Sequence, residues 1–526
     1  MLVLPFFSVL ALAPVLQGLF DFPLQTAFQA VIFFSCLLWV LSALRHNYTG
    51  VRPPKAGGFG INPQSTVFDL HFSIVHTAVI AAAALSFCSM MASPVRALIW
   101  PEWGNLFAGF LLFIFSGFLS PEDKKITNLA LRAAAWAMAA IAVVQIFVLK
   151  SPQISGSLTN PNALALFVVM VLPLAVSWKD WWLAGAMLVI LVWTRSMGAA
   201  LALTAAVGLY AWKPHERAEF KKTIPLLVLS VIALALVISQ VPPQSFVHRL
   251  LWWKSAFLMF LDRPLFGFGH AAFTFVSPAY GGAMSVVASS SPHLQQAMGS
   301  IYAHSYYLEF LAENGIFCAA LWFGLMGYAV KKKTGLAKYS LVAALAHSVI
   351  DFGLSVPANF WIFCCLAAPE HQGGADPSRP QEHRGAEAQE RAMGRGRLLF
   401  PAATCVIAAA WLNLCVTHNT ALRERSRAAA AYAEGKLQDS RNKFTKALEI
   451  ENGPAPLEAL GKIDYRLAFE RKDRGMLFSS AVFFERALLL NPYSASAYRD
   501  LAGVYRAAGE DKLLTDLEER KKRVFK

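Results

Sequence analysis

The sequence predicts an all-α polytopic membrane protein of about 12–13 transmembrane helices with a C-terminal soluble helical repeat domain. Three observations carry this. Hydrophobic residues make up 56% of the 526 positions and charged residues 15%, with a mean hydropathy of +0.46, which suits a chain whose main solvent is lipid. Apolar runs long enough to cross a hydrocarbon core of ~30 Å recur over roughly the first four-fifths of the chain. Beyond about Thr417 the sequence turns polar and helical, and one segment is echoed.

In chain order, spans are read at 2–20, 25–44, 69–91, 100–119, 127–149, 162–178, 181–195, 197–212, 224–241, 307–330, 338–352, 355–369 and 398–417. The segment 338–366 also reads as one long tilted helix, which would invert everything after it. The first span lacks a basic leader and Pro14 follows Ala11-Leu-Ala13, so it reads as a retained helix and not a cleaved signal peptide. Lys/Arg bias sets the orientation. Arg45, Arg52 and Lys55, the run 213–222, Lys331 to Lys333 and the arginines between Arg379 and Arg397 mark cytoplasmic loops, which leaves the 151–162 turn, Arg195 and the long loop outside.

The chain therefore divides into a transmembrane bundle at 1–241, a long periplasmic loop at 242–306, transmembrane helices at 307–369, a disordered cytoplasmic linker at 370–397, a last span at 398–417 and a soluble domain at 418–526. The loop, with its Pro, Gly and Ser clusters, reads as a partly mobile lid. The net charge of +14 sits at span ends and over the tail, which membrane topology explains; no nucleic-acid-binding module is present. All seven cysteines lie in apolar segments without zinc or disulfide spacing. In the tail, Phe444 to Asn452 is echoed by Phe484 to Pro492. This resembles tetratricopeptide repeats, a docking surface for a protein partner; a small helical bundle is the alternative.

Polar insertions near the outer face carry the chemistry. Ile301 to Gly315 sets His304 beside Glu309 and Glu313 at the start of a span, with His304, Tyr307, Leu308 and Leu311 on one helix face and Gly315 interrupting the pattern. Asn160 and Asn162 open the sixth span as capping residues whose free N–H groups attract anions. Arg195 is squeezed between two spans and needs an anionic partner or a wet cleft. Arg249, Trp252, Trp253 and Lys254 read as an amphipathic interfacial helix, with both tryptophans as lipid anchors. His347 and Asp351 share a helix face at spacing i, i+4.

Taken in order, Asn160-Pro-Asn162, Thr194-Arg-Ser-Met-Gly-Ala199, Arg249 to Lys254 with Asp262-Arg-Pro-Leu-Phe-Gly-Phe-Gly269, then Ala303-His-Ser to Gly315, and His347-Ser-Val-Ile-Asp351, resemble the O-antigen ligase and polymerase superfamily over about residues 1–415. The resemblance implies a GT-C-like glycosyltransferase of the bacterial inner membrane, taking a glycan from a polyprenyl (undecaprenyl) diphosphate to an acceptor hydroxyl on lipid, glycan or protein at the periplasmic face. Some relatives are protein O-oligosaccharyltransferases. It gives Arg195 and Arg249 the diphosphate, with Lys254 as a third cation, since guanidinium grips phosphate oxygens and stays charged. His304 becomes general base or acceptor-orienting group. Asn160, Asn162 and Tyr307 join the substrate site, while Asp262, Glu313, His347 and Asp351 support it and Arg263 ranks lower.

Neither an Asp-x-Asp pair nor a metal-ligand spacing is present, so transfer without a metal or other cofactor is expected. Direct attack would invert the anomeric centre. Two other readings remain: a polymerase joining lipid-linked repeat units, and a polysaccharide transporter or flippase, which would show inverted repeats and charge at mid-membrane.

Overall fold

The computed structural model describes residues 3–16, 22–49, 74–211, 231, 243–281, 300–369 and 396–525. The expected span at 224–241 (but for 231), the tip of the long loop at 282–299 and most of the linker at 370–397 lie outside them. The regular elements among the described residues are all helices, without strands. In the bundle, α1 is Val3–Leu12, α2 Phe22–Thr49, α3 Ile74–Met91, α4 Arg96–Ser116, α5 Pro121–Val143, α6 Pro161–Ser177, α7 Trp181–Thr194 and α8 Met197–Ala211. Next come α9 Pro243–Asp262, α10 Tyr306–Lys332, α11 Gly335–His347 and α12 Pro357–Ala367.

Among the described residues, three helical stretches are long and apolar enough to cross a membrane: Arg96–Ser116, Pro121–Val148 and Tyr306–Lys332. Six apolar helices are shorter, at 10–17 residues. Proline and polar caps trim them. Pro161 starts α6 behind an Asn160 cap, and Pro357 starts α12. The stretch 338–366 is broken between His347 and Pro357, so it forms two helices and not one.

Helix α6 is apolar all round and nearly every residue from Ala163 to Ala175 is buried, which places it at the centre of the bundle. Helices α7, α8 and α11 pack around it. Aromatic packing in the same core joins α4, α10 and α12: Trp322 lies 5.0 Å from Phe110 and 5.8 Å from Phe360 between ring centroids. Two indole N–H groups buried there are paired. Trp322 Nε1 donates to the Tyr306 hydroxyl at 2.9 Å, and Trp361 Nε1 donates to the Asn105 carbonyl at 2.9 Å.

The long loop is not loose where it is described. Helix α9 occupies its first twenty residues, confirming the helical expectation for Arg249 to Lys254. Its continuation, 264–269, pairs with a break in α10. Gly315 has φ 71° and ψ 176°, a conformation outside the helix. The freed groups find partners in the loop: Phe268 N–H donates to Ala312 O at 3.1 Å, Gly269 N–H to Glu313 O at 2.7 Å, and Ile316 N–H to Pro264 O at 2.8 Å. Gly267 and Gly315 both have positive φ, and a Cβ on either would run into backbone of the other segment.

The C-terminal helices are α13 Gly396–Ala433, α14 Leu437–Ile450, α15 Pro454–Arg471, α16 Arg474–Leu490, α17 Ala495–Ala508 and α18 Asp511–Val524. The sequence divides here at 417/418, but α13 runs unbroken for 38 residues across that point. Nothing there stops a helix: no Pro or Gly lies between Ala402 and Ala433. Consecutive helices pack as antiparallel pairs. The echoed segments fall at equivalent places, with Phe444 and Ala447 of α14 and Phe484 and Ala487 of α16 all buried. This domain touches the bundle at Tyr493, whose ring lies 6.2 Å from Phe268, and at Asn419, which donates to Thr26 Oγ1 at 2.8 Å.

The pairing of loop and break predicts that Gly315→Ala lowers stability by at least about 2 kcal/mol, through strain at positive φ and backbone overlap. Gly324→Ala in the same helix, where the added methyl meets nothing, should be neutral or mildly stabilising. Thermal unfolding in detergent compares the two; equal melting temperatures would contradict the pairing.

Candidate active site

His304 is not on the helix face that the spacing of His304, Tyr307 and Leu311 implies. Helix α10 starts at Tyr306 behind Ser305, and His304 sits ahead of both with φ 53°. For a residue with a Cβ this left-handed conformation costs about 1–3 kcal/mol and persists where the surroundings enforce it. The surroundings here are specific. Trp252 of α9 stacks on the imidazole at 4.5 Å and 18°, Trp253 Nε1 donates to the His304 carbonyl at 3.1 Å, and Phe352 meets the ring edge-on at 4.9 Å. The two tryptophans, expected as lipid anchors, hold the histidine instead. Trp252 is the site residue that the pattern of α9 concealed, because an aromatic beside cations at a membrane surface has the same signature in either role.

Asp351 is the centre of the cluster. It lies in the non-helical stretch after α11 and is fully buried. Its Oδ2 is 3.7 Å from Arg249 Nη2 and its Oδ1 is 3.9 Å from His304 Nδ1, while Oδ1 also accepts the Phe352 N–H at 2.8 Å. Arg249 is itself 8% exposed and donates to Ser245 Oγ at 2.8 Å. Burial, reinforced by the Arg249 charge, lowers the His304 imidazole to about 3, so it is neutral at physiological pH.

His347 adjoins the cluster. It is buried, and a Cβ added to Gly198 would lie 3.1 Å from its ring, so the glycine of the Thr194 to Ala199 motif makes room for this imidazole. Arg195 sits three residues earlier. It ends α7 in a left-handed conformation with φ 50° and is exposed, with no ion pair among the described residues. Arg249 Nε, His304 Nδ1, both nitrogens of His347 and Asp351 Oδ2 are buried without a hydrogen-bond partner among the described residues. These unpaired buried atoms make the cluster the candidate site.

Other expected site residues lie elsewhere. Asn160 is a helix cap: its Oδ1 accepts the Asn162 N–H at 2.8 Å. The Tyr307 hydroxyl donates to the Leu345 carbonyl at 3.0 Å and ties α10 to α11. Lys254 is exposed. Asp262 is exposed and accepts from the Tyr280 hydroxyl at 2.6 Å. Arg263 stacks over Phe268 at 4.9 Å. Glu313 is buried beside the α10 break, where it accepts the Phe273 N–H at 3.0 Å and lies 3.3 Å from His270 Nδ1. Its place is in the loop staple and not against His304.

Residues 182–323 match the family model described as O-Antigen ligase. That range holds Arg195, Arg249, Lys254, Asp262, His304, Tyr307 and Glu313, and leaves Asn160, Asn162, His347 and Asp351 outside. No curated protein and no solved structure matches the chain. The O-antigen ligase match supports placement in that superfamily and a membrane enzyme of ligase or polymerase type. Among the described residues, no group of three or more His, Cys, Asp or Glu is placed to hold a metal ion.

Removing Arg249 leaves the Asp351 carboxylate buried without its cation. Arg249→Met is expected to cost about 3 kcal/mol, and Asp351→Asn in the same chain should recover most of it. A double-mutant cycle on thermal unfolding checks this; additive losses would mean that the two side chains do not interact.

Proposed function

We propose that the chain is a membrane glycosyltransferase that moves a glycan from a polyprenyl diphosphate, undecaprenyl diphosphate in a bacterial inner membrane, to an acceptor hydroxyl at the periplasmic face. The observation that carries this reading is the neutral His304 imidazole, wedged between Trp252 and Phe352 with Arg249 and Asp351 behind it. The O-antigen ligase match over the same residues supports it.

The chemistry follows from the groups. The acceptor oxygen attacks the anomeric carbon as the bond to the diphosphate oxygen breaks. The electron pair leaves with the diphosphate, and the hydroxyl proton passes to His304. Nδ1 is buried toward Asp351, so Nε2 is the nitrogen available to the hydroxyl. Asp351 orients the ring and steadies the imidazolium that forms, and the donor's approach tightens the 3.9 Å separation. Arg249, with Arg195 at the neighbouring α7–α8 corner, meets the charge growing on the leaving diphosphate. Attack opposite the leaving group inverts the anomeric centre. The chain's own cations supply the positive charge, so the reading needs no metal.

The packing of Tyr493 on Phe268 of the loop supports putting the C-terminal helices, tetratricopeptide-like in this reading, on the same side as the site. They would bring an acceptor or partner protein to it. A purified-protein assay with a polyprenyl-diphosphate oligosaccharide and candidate acceptors tests the proposal. Arg195→Ala should lower transfer by ~10²–10³ and His304→Ala by ~10²–10⁴, with both variants folded. Full activity in both would refute this site, and product lengthening on the lipid carrier alone would identify a polymerase.

The pH profile gives a second test. Because the imidazole is held near 3 in the free enzyme, His304 stays in its basic form as pH falls from about 7 to about 5. In an Asp351→Asn background, where no buried carboxylate titrates beside the ring, donor kcat/KM should therefore be flat across that range. An acidic limb near an ordinary histidine value would contradict the arrangement.

A further inference from the structure

Glu309 lies in the Ile301–Gly315 run but has no role among the expected site residues, yet it is 5% exposed in the first turn of α10 and both its oxygens are used. Oε2 accepts the Ala303 N–H at 2.6 Å, and Ser355 Oγ donates to Oε1 at 2.7 Å. Ala303 immediately precedes His304. Ser355 lies four residues after Asp351, in the short 3-10 turn Gly353–Ser355. One carboxylate therefore bridges the segment that carries the imidazole and the segment that carries its carboxylate partner. The same two segments are joined on the other side of His304, where Tyr306 N–H points to the Ser348 and Asp351 carbonyls at 3.0 and 3.2 Å.

We propose that Glu309 is a positioning residue for transfer, setting the separation and angle between His304 and Asp351 without touching substrate. This rests on the reading of His304 as the group that takes the acceptor proton. Two features make the bridge the deciding constraint. His304 sits at positive φ, so its segment relaxes toward extended backbone unless the N–H on one side and the carbonyl on the other are both held. Trp253 holds the carbonyl, and Glu309 holds the adjacent N–H. Asp351 in turn has no helix of its own, since α11 ends at His347 and α12 begins at Pro357.

The bridge needs two oxygens or an oxygen and a donor, not a charge. Glutamine fits: its carbonyl accepts from Ala303 and its amide donates to the Ser355 hydroxyl. Steady-state kinetics of Glu309→Ala, Glu309→Gln and Ser355→Ala in the full-length protein in nanodiscs test the proposal, beside His304→Ala. Glu309→Ala should lower kcat by about 10²-fold, the cost of a misplacement on the order of 1 Å, with donor KM little changed because the arginines are untouched. Glu309→Gln should restore most of kcat, and Ser355→Ala should lower it less than Glu309→Ala does. Ser355→Ala removes only one hydroxyl, so it reads the bridge even where Glu309→Ala fails to fold. Wild-type kcat in Ser355→Ala and Glu309→Ala, or a Glu309→Gln as impaired as Glu309→Ala, overturns the positioning role if His304→Ala is inactive. A fully active His304→Ala overturns the underlying reading of the site instead.

Discussion

A helix broken within an apolar slab exposes backbone N–H and C=O groups that lipid cannot satisfy, and an unpaired group there costs several kcal/mol. Helix α10 is broken at Gly315, and the arrangement above it follows from how the break is met. The loop segment 264–269 supplies the missing partners, so the C-terminal end of α9 must lie against α10. With that end fixed, the helix direction brings Arg249, Trp252 and Trp253 back over the N-terminus of α10. Glu313 joins the same seam by holding the Phe273 N–H, which fastens the next helical turn as well. The site is thus built on backbone pairing between two segments far apart in sequence, and its side chains inherit their precision from it.

Charge is then organised around one buried carboxylate. Moving Asp351 out of water is unfavourable unless cations compensate it, and attraction between charges strengthens as water is excluded. Arg249 is close enough to compensate, while His304 is kept neutral by the same burial and the same guanidinium. A neutral imidazole thus lies beside a permanent cation, which is the pairing the proposed proton transfer uses. Gly198 allows His347 to approach from α11, so four elements converge on a small volume.

Much of this was legible in the sequence. Helical class followed from hydropathy, and Arg249, His304 and Asp351 were singled out as unusually polar residues near one membrane face. Asn160 was legible as a cap, because Asn-Pro at a helix start has one dominant use. What the sequence could not carry was tertiary pairing. Glu313 and Glu309 share a helix face at spacing i, i+4, yet one staples the loop and the other bridges the site, a difference set by segments about 40 residues away on either side. Periodicity placed His304 on α10 because its spacing to Tyr307 and Leu311 is helical; the left-handed turn before Ser305 breaks that register. The continuity of α13 was hidden for a simpler reason, since a drop in hydropathy marks where lipid ends and not where a helix does.

That continuity fixes geometry beyond the bundle. At a 1.5 Å rise per residue, the 38 residues of α13 make a rod roughly 57 Å long, seated in the bundle at Trp411 and carrying the distal helices at its other end. A rod pinned twice, once by its root and once by Tyr493 on the loop, cannot swivel freely. The C-terminal helices therefore keep one position relative to the bundle and to the loop segment that carries Phe268.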